Sequence, residues 1–109
     1  MASKSIYLLK ERKRIKDWLD EMKIQNYTIN DDLTVDVVYG NVNLESKGLT
    51  EIPVQFGIVS GWFNVDNNHL SSTKGWPSKC YLLFCRWNDV KFYKRDLKKV
   101  IKYESARTF

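Results

Sequence analysis

Trp62, Asn64, Leu82, Phe84 and Arg86 fall at alternate positions of two short apolar runs, with 20 residues separating Trp62 from Leu82 and Asn64 from Phe84. If both runs are strands, these side chains share one face, pointing away from the residues between them. An arginine beside clustered apolar and aromatic groups is the usual composition of a protein-binding hot spot. A terminal helix folded over the same face, or a second copy of the chain, would also account for it. A second concentration of chemistry is cationic. Lys94, Arg95, Lys98, Lys99 and Lys102, with Lys91 before them, give like-charged pairs at three- and four-residue spacing, and only Asp96 and Glu104 offset them. On a helix each such pair costs about 0.2–0.5 kcal/mol, so the segment reads either as a solvated face or as a site for an anionic partner. Lys10, Arg12, Lys13, Arg14 and Lys16 form a similar group near the N-terminus.

Catalytic chemistry finds no comparable support. His69 is the only histidine and has no serine or cysteine at a spacing that suggests a triad. Cys80 and Cys85 differ in strand parity, are expected on opposite faces of one strand, and read as packing residues. Metal ligation needs clustered His, Cys or carboxylate ligands, and no glycine-rich phosphate loop is present. The expectation is a chain that is not an enzyme and needs no cofactor or metal.

Positioning these groups falls to a repeating pattern. Gly40-Asn-Val-Asn-Leu-Glu-Ser-Lys-Gly-Leu49 returns 21 positions later as Gly61-Trp-Phe-Asn-Val-Asp-Asn-Asn-His-Leu70, and 20 positions further on as Tyr81-Leu-Leu-Phe-Cys-Arg-Trp-Asn-Asp-Val90. Equal spacing of this length marks one supersecondary unit that buries its apolar face against its neighbours. Phasing the alternation puts Val42, Leu44, Leu49, Phe63, Val65, Leu70, Leu83, Cys85 and Val90 in the core. Asn41, Asn43, Glu45 and Asp66 join Trp62 and its companions on the outer face. Ile52-Pro53, Phe56 and Gly75-Trp76-Pro77 return the chain between strands, and Asn67-Asn68 suits a tight left-handed corner.

Before the repeats, Ile15, Trp18, Leu19 and Met22 recur at helical spacing, with Ser3 or Ser5 as N-cap. Leu33, Val35 and Val37 alternate as a strand, and Tyr39-Gly40-Asn41 reads as the turn of a hairpin leading into the first repeat. After them, Leu97, Val100 and Ile101 predict a second helix from about Tyr93 to Tyr103. The expected fold is α+β: a short leucine-rich-repeat-like solenoid of about three 20–21-residue units, entered by a β-hairpin and capped by a helix at each end. It forms one domain over 1–109, with the N-terminal helix in 1–25, hairpin and repeat strands in 26–92, and the C-terminal helix and tail in 93–109; the leucine-rich-repeat-like character of the units is what the resemblance described next implies.

The chain resembles the short leucine-rich-repeat-like proteins of bacteriophages and prophage-bearing bacteria. The resemblance lies in Trp18-Leu19-Asp20-Glu21-Met22, in Asn26 through Val37, in Asn41-Val-Asn-Leu44, and in Lys47 through Gly57. It extends to Asn67-Asn68, Leu70, Lys74-Gly75 and Pro77, and to Val90-Lys-Phe92 with Leu97-Lys-Lys-Val100. Thr73, Trp76 and Arg86-Trp87 depart from the family's usual residues. The resemblance implies a phage-type protein that docks on a host bacterial protein in the host cytoplasm and inhibits or redirects it.

The 109 residues carry 18 Lys and Arg against 13 Asp and Glu, a net charge of +5 that suits an acidic partner. The alternative reading is nucleic-acid binding, with basic helix faces on phosphates and Trp62, Phe84 or Trp87 stacked on bases. A worn repeat protein without a retained role is a third reading, and a broad, non-cooperative melt would mark it. No stretch approaches the roughly 20 apolar residues of a membrane span. The charged run Lys10 to Lys16 leaves no apolar signal-peptide core, so a cytoplasmic protein is expected.

Overall fold

The computed structural model describes residues 2–109, with side chains from Ser5 onward. Helix α1 (Ala2–Glu21) is followed by strands β1 (Tyr27–Ile29), β2 (Thr34–Val37), β3 (Val42–Asn43), β4 (Gln55–Val59), β5 (Trp62–Asn64) and β6 (Leu82–Phe84), then by helix α2 (Lys94–Leu97) and strand β7 (Ser105–Arg107).

Helix α1 contains neither glycine nor proline and only two β-branched residues, so little opposes helix formation. It ends where Lys23 turns left-handed at φ +60° and the Lys23 and Ile24 amides donate to the Asp20 and Leu19 carbonyls. Ile15 and Leu19 are buried, with Trp18 and Met22 packed beside them. Each such aliphatic burial stabilises by about 1.5–3 kcal/mol. Ser5 lies inside the helix and is not its N-cap; the Ser3 side chain lies outside the described residues.

Two sheets enclose the core. β1, β2 and β4 form the first: β1 runs antiparallel to β2 with Tyr27 opposite Val37, and β4 runs parallel to β2 with Phe56 opposite Val35. The second is wholly parallel, in the order β3-β5-β6-β7. One of its rows aligns Val42, Phe63, Leu83 and Ala106, all buried. Aromatic rings run through the interior from Trp18 to Phe56, Phe63, Trp76 and Phe92, with successive centroids 4.7–6.4 Å apart.

This architecture corrects the expected solenoid. The 20–21-residue spacing acts as sheet register, because Val42, Phe63 and Leu83 are strand neighbours. The connecting segments are unlike one another. β4 lies between β3 and β5, an isolated bridge at Lys79 between β5 and β6, and α2 between β6 and β7. The molecule is α+β, with one long helix, a four-residue helix, a mixed sheet and a parallel sheet, and not a stack of like units.

The expected hairpin moves as well. β2 pairs with β1, and β2 and β3 belong to different sheets, so Tyr39-Gly40-Asn41 joins sheets and does not fold one back on itself. The predicted C-terminal helix shrinks to Lys94–Leu97, after which the chain turns back into strand β7. The inward phasing holds for most positions, but Leu49 is only half-buried and Val90 is 41% exposed. Cys80 and Cys85 both face the interior, against the expectation of opposite faces.

Candidate functional site

The parallel sheet presents its outer face in two rows. Trp62, Leu82 and Ser105 align in one, and Asn43, Asn64, Phe84 and Arg107 in the other. Trp62, Leu82 and Phe84 are each partly buried, and Trp62 borders a pocket with Met22 and Lys23 at the end of α1. The rings of Trp62 and Phe84 meet edge to face with centroids 6.4 Å apart. From Phe84 the contacts continue through Arg86, whose guanidinium lies 5.6 Å from the Phe84 centroid and 4.5 Å from that of Trp87. Trp62, Phe84, Arg86 and Trp87 form one ridge, with Asn64 and Leu82 beside it.

Asp66 holds the ridge from beneath. Its carboxylate is fully buried, at 0% exposure. Arg86 donates to Asp66 Oδ2 from Nη2 at 2.7 Å and from Nε at 3.1 Å, and the Arg86 backbone amide donates to Oδ1 at 2.6 Å. The side-chain hydrogen bond to Asp66 holds the guanidinium pKa above its ordinary value, and the neighbouring Asp66 charge adds to it. A guanidinium fixed this way loses little rotamer freedom when a partner arrives. Its charge is also largely answered, which suits a protein surface better than a phosphate backbone.

Trp87 closes the ridge from the corner after β6. Ser46, Asn67 and Trp87 occupy the corners after β3, β5 and β6 with φ of +56°, +56° and +58°. Asparagine tolerates that region, whereas a bulky residue meets a cost of about 1–2 kcal/mol there. Trp87 nevertheless stands there 62% exposed, presented to solvent by a strained backbone.

No family model, curated protein or solved structure matches this chain. The chemistry of the site rests on its geometry.

The basic residues sit elsewhere. Lys94, Arg95, Lys98, Lys99 and Lys102 are all exposed, and Asp96 pairs with Arg95 and Lys99. They occupy α2 and the chain after it, so they do not line one helix face as expected. Three cations of the N-terminal cluster are paired, Lys13 with Asp17, Arg14 with Glu11 and Lys16 with Asp20, while Arg12 donates to the Ile29 and Asn30 carbonyls.

Burial pushes the Cys80 thiol up to about 11 and the Cys85 thiol up to about 12, the latter helped by the Asp66 charge. Neither is a nucleophile near neutral pH. His69 is exposed, with Nδ1 3.1 Å from Asp89 Oδ1. Among the described residues no group of three or more His, Cys, Asp or Glu is placed to hold a metal ion, and no helix is long and apolar enough to cross a membrane.

Sequence reasoning missed two members of the site. Asp66 was expected on the outer face and is its buried clamp. Trp87 was considered only for stacking on bases. The signal for Asp66 is present in the sequence, since it and Arg86 are opposite charges 20 residues apart, the same offset that aligns Asn64 with Phe84.

Proposed function

We propose that this chain is a non-enzymatic binding protein that docks on another protein through the Trp62–Phe84–Arg86–Trp87 ridge. The observation that carries the reading is a continuous line of contacts on the outer sheet face, from Trp62 to Phe84 and through Arg86 to Trp87, with the arginine held by a buried carboxylate. Rigid aromatic anchors beside an arginine concentrate binding energy in few residues. Asn64, Leu82, Asn43 and Arg107 form the surround that excludes water. A standard interface of about 1,600 Å² in total would need the ridge and this rim together. The choice of a host bacterial protein as partner, and of inhibition as the outcome, rests on the resemblance of residues to phage proteins alone.

The test compares baits in bacterial lysate: wild type, a Trp62→Ala/Phe84→Ala variant, and wild type after nuclease treatment. The expected result is a protein retained by wild type with or without nuclease and lost by the variant. Equal capture by both baits, or capture that nuclease abolishes, would contradict the reading.

A further inference from the structure

The charge of the chain is segregated. Residues 79–109 hold nine Lys and Arg against three Asp and Glu, an excess of six, whereas residues 1–78 hold nine against ten. Carboxylates answer Lys13, Arg14 and Lys16 of α1, but beyond residue 90 only Asp96 does so.

Within this basic third, Lys79 and Lys102 are direct neighbours. Isolated parallel bridges join Ile58 to Lys79 and Lys79 to Lys102. Backbones so paired run about 4.8 Å apart, and side chains in register share a face. Like charges in that position repel. Among the described residues neither ammonium has a carboxylate within ion-pair reach, although Glu104 stands on the same rim. The two lysines border a pocket of about 450 Å³ whose walls include Tyr81 and Tyr103. Tyr81 is 61% exposed, and the Tyr103 hydroxyl donates to the Lys94 carbonyl at 3.4 Å, tying the pocket to the basic segment.

Paired cations beside an exposed ring match a strand whose phosphates and bases are both accessible: phosphate oxygens meet the ammonium groups and a base stacks on the ring. A duplex would hide its bases from Tyr81, and a lipid surface calls for an apolar helical face in place of a walled pocket. We propose that the Lys79–Lys102 pocket binds single-stranded nucleic acid, with a phosphate on the two lysines, a base on Tyr81, and the flanking strand along Lys94 and Lys98. The site shares no residue with the aromatic ridge, so either can fail without the other.

The test is fluorescence anisotropy of a short labelled oligothymidylate over a salt series, with a thermal melt of each variant to establish folding. Binding should weaken with salt at a slope of about −0.7 per neutralised phosphate in log–log form, so Lys79→Gln/Lys102→Gln, which gives up the one phosphate the two lysines share, should flatten the slope by about 0.7. Lys13→Gln/Lys16→Gln and Trp62→Ala/Phe84→Ala should leave affinity and slope unchanged. Tyr81→Ala should weaken binding about tenfold, through the lost base stack. The proposal is overturned if the oligothymidylate does not bind at low salt, or if the lysine variant keeps the wild-type slope. It is equally overturned if Trp62→Ala/Phe84→Ala abolishes binding, which would place the strand on the ridge, or if Tyr81→Ala binds like wild type, which would leave only charge.

Discussion

A carboxylate without exposed surface, Asp66, sets the position of the most prominent cation on the sheet face. Asp66→Ala leaves the Arg86 amide without its acceptor, at a cost of about 1–3 kcal/mol, and a urea melt should show the shifted midpoint. Trp87 runs the other way. Trp87→Asn relieves about 1–2 kcal/mol of left-handed strain and forfeits a cation–π contact worth about 0.5–1 kcal/mol. The variant should therefore be at least as stable as wild type, by up to about 1.5 kcal/mol in a urea melt, while losing partner binding, the pattern of a residue kept for function against stability. The buried thiols add a pH dependence. Their folded values of about 11 and 12 lie above the ordinary 9.0, so folding favours the protonated forms. That contribution is complete below about pH 9 and is lost as pH rises toward 11–12. In the folded protein a thiol-specific reagent at about pH 8 should leave both cysteines unmodified, and in urea it should label both. At this scale the sequence was legible in residue type and parity: Trp62, Phe84 and Arg86 do share a face. Burial was not legible, because Asp66 alternates like a surface residue and only the cross-strand bonds to Arg86 show why it can be inside.

At the scale of elements, the strands are short and hold by register. Leu44 is fully buried just beyond β3, so Leu44→Asp places an unpaired charge in the core and should abolish the cooperative melt. Leu49→Asp, at a half-buried position, should be milder. Gly75 sits at φ +88°, and an added Cβ would stand 2.7 Å from the Val54 carbonyl oxygen, so Gly75→Ala should lower the melting midpoint. Helix α1 was legible because Ile15, Trp18, Leu19 and Met22 recur at helical spacing over about two turns. The C-terminal helix was misread because Leu97, Val100 and Ile101 fit the same spacing. Two bonds decide against it: the Lys102 amide donates to the Ser78 carbonyl and the Cys80 amide to that of Lys102, so sheet pairing takes the backbone groups a longer helix would need. Repulsion among the lysines works in the same direction. The turn at Tyr39-Gly40 has an equally local signal and a non-local outcome. The Ser60 and Gly61 amides donate to the Val37 and Gly40 carbonyls, tying the turn to the β4–β5 corner and sending β2 and β3 into separate sheets.

At the scale of the molecule, a body of 47 × 24 × 24 Å carries two surfaces of different character. One is the near-neutral aromatic ridge on the parallel sheet. The other is the pocket bordered by Lys79 and Lys102, with the exposed lysines of α2 and the chain after it. A repeat spacing alone does not say whether connecting segments are alike, and here β4, a bridge and α2 fill them differently, so the solenoid expectation fails while the strand alignment stands. The division of surfaces makes the central claim testable in one step: the partner protein meets the ridge. The measurement is site-specific photo-crosslinking in bacterial lysate, with a benzophenone side chain at position 84 or, as the remote control, at position 13 on the outer side of α1. The account predicts a discrete, nuclease-resistant protein adduct from position 84 and none from position 13. Adducts of the same protein from both positions, or adducts from position 13 alone, would contradict it.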